Sequence, residues 1–138
     1  SYRLAGRQKL RRAPVMVPLL GDVPAGDLRL AIQTSDGQGM VESRFPQREL
    51  FALTVRGDSM IDAGILSGDV VVVRRQATAS SGDVVVAMVD GEATIKTLRR
   101  RGRRVELHPA NAKFDPIVLP PDKVSILGLV IELRRRIA

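Results

Sequence analysis

Gly82-Asp83-Val84-Val85-Val86-Ala87-Met88-Val89-Asp90-Gly91-Glu92-Ala93-Thr94-Ile95-Lys96-Thr97-Leu98 decides the fold class. Two apolar runs rich in β-branched residues flank an Asp-Gly pair. A two-residue type I′ turn needs positive φ at both centre positions, and Asp-Gly meets that need cheaply. The stretch therefore reads as two strands joined by a tight hairpin. The same grammar extends both ways along the chain. Val15–Leu20, Phe51–Val55, Val70–Val73, Val105–Leu107, Ile117–Leu119 and Val124–Leu133 are further runs separated by Gly, Pro and Asp. Most are short and β-branched, as strands are. Gly102 marks a second hairpin tip inside an arginine cluster. Gly68-Asp69 and Gly82-Asp83 each open a valine run and read as turn-to-strand entries. The single helical signal is a short turn from Ser59 to Ala63, stopped by Gly64. The expected fold is mostly β, with coiled short sheets forming a small barrel-like body.

Composition narrows the function classes. The 138 residues suit one domain that buries a real core. Aromatics make up only 3%, so that core must rest on aliphatic side chains. The absence of cysteine excludes a disulfide framework and a thiolate metal site. No apolar run approaches the ~20 residues of a membrane span, and no signal-peptide pattern opens the chain. A cytoplasmic protein without a membrane partner is expected. The acids Asp58, Asp62, Asp69, Asp83 and Asp90 mostly sit beside glycines. They read as turn residues, not metal ligands, and no cofactor is expected.

The net charge of +7 favours an acidic partner. The arginines fall in three clusters, Arg7–Arg12, Arg99–Arg104 and Arg134–Arg136. No aromatic residues interleave with them to stack on bases, so they read as solvated turns and a tail. Residues 1–14 read as a basic interdomain linker and 15–138 as the folded domain.

Two residues carry chemistry. Ser59 lies in Arg56-Gly57-Asp58-Ser59-Met60-Ile61-Asp62, a Gly-bearing break straight after a strand-like run. A serine hydroxyl becomes a nucleophile when a base takes its proton. Lys96 is the candidate base, because burial among apolar groups lowers a lysine pKa. On a strand, Thr94, Lys96 and Leu98 share a face. The turn at Ser59 also frees backbone N–H groups, and those of Asp58 and Ser59 are expected to hold an oxyanion. The bland alternatives are a capping serine in a turn and an exposed edge lysine. Spacing alone does not show that the two side chains meet. His108, between Leu107 and Pro109, reads as a strand end and not as a triad base.

These motifs resemble a known family. Val55 to Ile65, followed by Gly68-Asp69-Val70-Val71-Val72-Val73, is similar to the serine-bearing motif of the LexA/UmuD family of self-cleaving proteins. Gly82 to Lys96 resembles the lysine-bearing motif, and Leu107-His108-Pro109-Ala110-Asn111 with Phe114-Asp115-Pro116-Ile117 the segment after it. Upstream, Val17 to Gly26 resembles the cleavage-site segment. The resemblance implies a Ser-Lys peptidase whose substrate is its own Ala25–Gly26 bond, carried on a mobile loop. It implies a repressor of the SOS DNA-damage response, inactivated when a RecA–single-stranded-DNA filament favours cleavage. It implies a homodimer paired through Val124–Leu133, although that run also suits a central strand. Operator DNA would be bound by a domain absent here, and Ser1-Tyr2-Arg3-Leu4 suits the last strand of a winged helix. The alternatives are a lesion-bypass polymerase accessory protein of the UmuD kind, which usually carries Cys-Gly at the bond, a phage-type repressor, and an inactive β-barrel binding module.

Overall fold

Runs of three or four consecutive valines leave a strand no polar face, so both of its faces must be covered. This requirement organises the architecture. The computed structural model describes residues 13–23 and 38–137. Its strands are β1 (Ala13–Val23), β2 (Gln38–Ser43), β3 (Leu50–Val55), β4 (Val70–Arg75), β5 (Val84–Val89), β6 (Glu92–Arg101), β7 (Arg104–His108), β8 (Ile117–Leu119) and β9 (Ser125–Arg134). They form one mixed sheet in the order β2-β1-β3-β4-β9-β5-β6-β7-β8. The β1–β3 pair is parallel and the other pairs are antiparallel. Short 3-10 turns at Gln47–Glu49, Ile61–Ala63 and Pro121–Lys123 supply the helical content of the described residues.

The mostly-β expectation holds, but the barrel does not. Among the described residues no pairing joins β2 to β8, so the sheet stays open. The reason lies in the two-faced strands. In β4, Val71 and Val73 enter a central cluster with Leu20, Phe51, Leu53, Met60, Val86 and Ile95. Val72 points the other way, to Val17, Leu50 and Ala52. In β5, Val86 joins the central cluster, while Val85 and Ala87 pack against Leu98, Val105 and Leu107. The sheet therefore coils over one shared core and carries a smaller core on the outer side of each half. Side-chain burial holds the halves together without hydrogen-bonded closure.

Turn chemistry matches the sequence reading closely. Asp90 and Gly91 have φ of 50° and 79°, as a type I′ turn demands. The two Gly-Asp entries are built alike. Gly68 and Gly82 have φ of 94° and 99°. The Asp69 carboxylate accepts the Leu66 N–H at 2.7 Å, and the Asp83 carboxylate accepts the Ser80 N–H at 2.8 Å. Each turn then staples a neighbouring chain by two bonds. Gly68 N–H donates to Val55 O and Val55 N–H to Asp69 O; Gly82 N–H donates to Leu98 O and Leu98 N–H to Asp83 O.

The Val124–Leu133 run becomes β9, and it divides. Its first half is central, between β4 and β5. Its pairing with β5 ends at Leu129, whereas its pairing with β4 continues to Arg134. Gly128 sits at the crowded middle. A Cβ there would lie 2.5 Å from both the Arg74 carbonyl oxygen and Val73 Cγ1. Gly128→Ala should therefore cost about 1–3 kcal/mol by overpacking, measured as a lower urea midpoint; an unchanged midpoint would show that β9 shifts freely.

Candidate functional site

Ser59 follows the end of β3, where the Gly68-Asp69 staple fixes Val55. The chain then turns through Gly57, at φ 85°. Ile61 N–H donates to Asp58 O and Ala63 N–H to Met60 O, and Gly64 ends the turn in the left-handed region at φ 78°. Met60 is buried in the central core and anchors the turn from below. A second loop clamps it from the side. Ala110 N–H donates to Ser59 O at 2.7 Å, Asn111 Nδ2 donates to Asp58 O at 2.9 Å, and Asp62 N–H donates to Ala110 O at 2.8 Å. The peptide planes on both sides of Ser59 are thus pinned through their carbonyls. In a trans peptide the N–H points opposite to the C=O, so pinning Asp58 O also aims the Ser59 N–H. Among the described residues, neither the Asp58 nor the Ser59 N–H has a hydrogen-bond acceptor.

Lys96 lies within β6, opposite Val85 of β5, and is 9% exposed. The structure brings it to Ser59: Nζ is 3.1 Å from Ser59 Oγ. It is also 2.7 Å from Thr94 Oγ1 and 3.1 Å from Ile95 O. Burial pushes the amine below its ordinary 10.5, and no carboxylate pairs with it among the described residues. These contacts suit a neutral amine. Such an amine has two N–H donors and one lone pair. Ile95 O can only accept, and Thr94 Oγ1 lies closest. With those two taking the N–H groups, the lone pair faces the Ser59 hydroxyl.

Beside the pair opens a cavity of about 400 Å³. Val55, Met60, Ile95, Phe114 and Ile117 give it apolar walls. Phe114 is 47% exposed, so one wall stands open to solvent. The cavity suits an extended peptide with small or aliphatic side chains.

The other sequence candidates fall elsewhere. Ala25 and Gly26 lie outside the described residues, as do residues 1–12 of the expected linker; Ala13 and Pro14 already belong to β1. His108 Nε2 is 2.7 Å from Glu106 Oε1, and among the described residues it makes no bond to Ser59. No group of three or more potential metal ligands occurs among the described residues. Sequence reasoning missed two positions. Asn111 was quoted only as part of a motif, yet its side chain ties the serine turn. Asp69 was read as a plain turn residue. It is buried, and Arg135 grips it with Nε at 2.7 Å and Nη2 at 2.6 Å while also reaching Gly64 O. That bidentate arginine holds the Asp69 carboxyl below its usual range. It straps the end of the chain to the loop that carries Ser59.

Comparison with known proteins follows the same residues. Residues 18–131 match the peptidase S24-like family. The chain is 49% identical over 121 residues to a LexA repressor of Magnetococcus marinus, covering 87% of this chain and 52% of that protein. It is 46% identical over 123 residues to the LexA repressor of Carboxydothermus hydrogenoformans, covering 87% and 60%. A LexA repressor of Acidothermus cellulolyticus is 47% identical over 124 residues, covering 89% and 44%. The chain spans about half the length of these relatives. No helix among the described residues is long and apolar enough to cross a membrane.

Proposed function

The chain belongs to the peptidase S24-like family, and from that premise we propose that it is the self-cleaving C-terminal part of a LexA-type repressor of the SOS DNA-damage response. The observation that carries this reading is the 3.1 Å contact between Ser59 Oγ and a buried lysine without a carboxylate partner. Lys96 Nζ takes the Ser59 proton, and Ser59 Oγ attacks the Ala25 carbonyl carbon. The N–H groups of Ser59 and Asp58 hold the resulting oxyanion. The intermediate collapses, Lys96 returns the proton to the Gly26 nitrogen, and the Ala25–Gly26 bond breaks. Water, deprotonated by Lys96, then releases Ala25 from the serine ester. The substrate is tethered, so its effective concentration is high without strong intrinsic affinity.

A RecA–single-stranded-DNA filament accelerates the reaction by binding the cleavage-ready state better. The chain works as a homodimer. Residues 131–134 of β9 pair only with β4 among the described residues, and Ile131 and Leu133 are 37% and 38% exposed. An open, apolar strand edge suits antiparallel pairing with a second copy. Operator DNA is bound by a part of the protein beyond this chain.

The test is mass spectrometry after alkaline incubation without any partner. Two products, residues 1–25 and 26–138, are expected; an intact chain, or a cut elsewhere, overturns the assignment. Thr94 gives a finer check. Thr94→Val removes the acceptor that orients the Lys96 amine and should slow cleavage about tenfold, in line with the loss of one charge-assisted hydrogen bond of ~1.5 kcal/mol. Thr94→Ser should restore most of the rate.

A further inference from the structure

The β6–β7 hairpin carries more charge than a turn requires. Arg99, Arg100, Arg101, Arg103 and Arg104 surround its tip, and all five are exposed. The register sets Arg99 opposite Glu106, Arg100 opposite Val105 and Arg101 opposite Arg104. Residues two apart and cross-strand partners share a face. Arg99, Arg101 and Arg104 therefore line one face of the ribbon, Arg100 lies on the other, and Arg103 is in the turn. Among the described residues, Arg101 alone of the five makes a direct ion pair, with Glu106 at 3.3 Å, and that carboxylate is already bound by His108. Like charges directly opposite one another weaken a hairpin. The Arg101–Arg104 pair closes this one, so folding gains nothing from the arrangement.

We propose that this hairpin is a binding element for the phosphate backbone of duplex DNA, separate from the serine–lysine site. Guanidiniums on both faces and at the tip suit a setting with phosphates on either side. A two-stranded β-ribbon fits the major groove of a duplex, where this occurs. A single strand is the weaker fit, because its binding draws on aromatic platforms and residues 99–106 contain no aromatic. The contact is electrostatic, so it tolerates many sequences and weakens steeply with salt. It adds affinity wherever another part of the protein selects the sequence, and it does not depend on whether the chain cleaves itself.

The experiment is fluorescence anisotropy of a short labelled duplex of mixed sequence, titrated with the chain at several salt concentrations. The hairpin variant is Arg99→Gln/Arg100→Gln/Arg103→Gln, which spares the Arg101–Glu106 pair. A control removes the same charge elsewhere with Arg44→Gln/Arg48→Gln/Arg136→Gln. Losing three phosphate contacts should lower the salt slope by about 2.7, at roughly 0.9 per contact, and weaken binding at least tenfold, with the control near the parent chain. Replacing the same three arginines with lysine should preserve binding and shows that charge, not folding, is read. Four outcomes overturn the proposal: no duplex binding at low salt, equal loss in variant and control, tighter binding to a single strand, or displacement of the duplex by polyglutamate of equal charge. The last would assign the hairpin to an acidic protein. If the triple variant fails to fold, the charge reversal Arg103→Glu at the tip replaces it, with the same expectation and the same refutations.

Discussion

Lys96→Met yields a folded protein in which the Ala25–Gly26 bond stays intact through alkaline incubation. Methionine keeps the length and most of the volume of the lysine stem but offers no lone pair to Ser59. The expected loss of rate is at least ~10³-fold, because a general base and the nucleophile it activates act as a unit. Ser59→Ala should fall to the same floor, and the double variant should fall no further. Stability should move the other way. A desolvated amine with no carboxylate partner opposes folding, so the thermal midpoint of Lys96→Met should rise. Mass spectrometry reads the first result and a melting curve the second. A Lys96→Met chain that still cleaves at a tenth of the parent rate removes Lys96 from the mechanism.

The second large effect is pH dependence. The mechanism needs the neutral amine, and burial holds Lys96 below its ordinary 10.5. Below its folded pKa the neutral fraction rises tenfold per pH unit. The self-cleavage rate should follow that slope from about neutral and level off before ~10.4, the pKa of a free lysine. Stability follows the same group. A lysine with a lowered pKa binds fewer protons folded than unfolded in the window between its folded value and 10.5. Stability therefore rises with pH across that window. Initial rates by gel densitometry across this range check the prediction. A flat profile in a chain that remains folded excludes an amine as the base.

Much of this site was legible because turn chemistry is local. Asp90-Gly91 announced a hairpin, and the structure gives positive φ at both residues. Gly64 announced the end of a short helical turn, which is a 3-10 turn at Ile61–Ala63. Alternation along β6 put Thr94 beside Lys96, and the two are 2.7 Å apart. What the sequence left open was long-range. The closure of the sheet depends on how two-faced valine strands share three cores, which no local signal encodes. β2, Gln38–Ser43, has little apolar patterning and went unread, since its identity as a strand comes from pairing with β1. Asp69 and Arg135 are separated by most of the domain, so their buried pair had no sequence signature. Asn111 gave only a motif position, because its role depends on a loop crossing over the serine turn.

The twin Gly-Asp staples bear on how cleavage is controlled. One seizes Val55, four residues ahead of Ser59; the other seizes Leu98, two residues beyond Lys96. Each half of the pair is therefore moored to the sheet within a few bonds of its functional atom. A trigger that worked by assembling the two residues would have to break both moorings and the cores beneath them. Under the proposed mechanism the blade is always set, and the throttle on the reaction is the delivery of the scissile peptide to it.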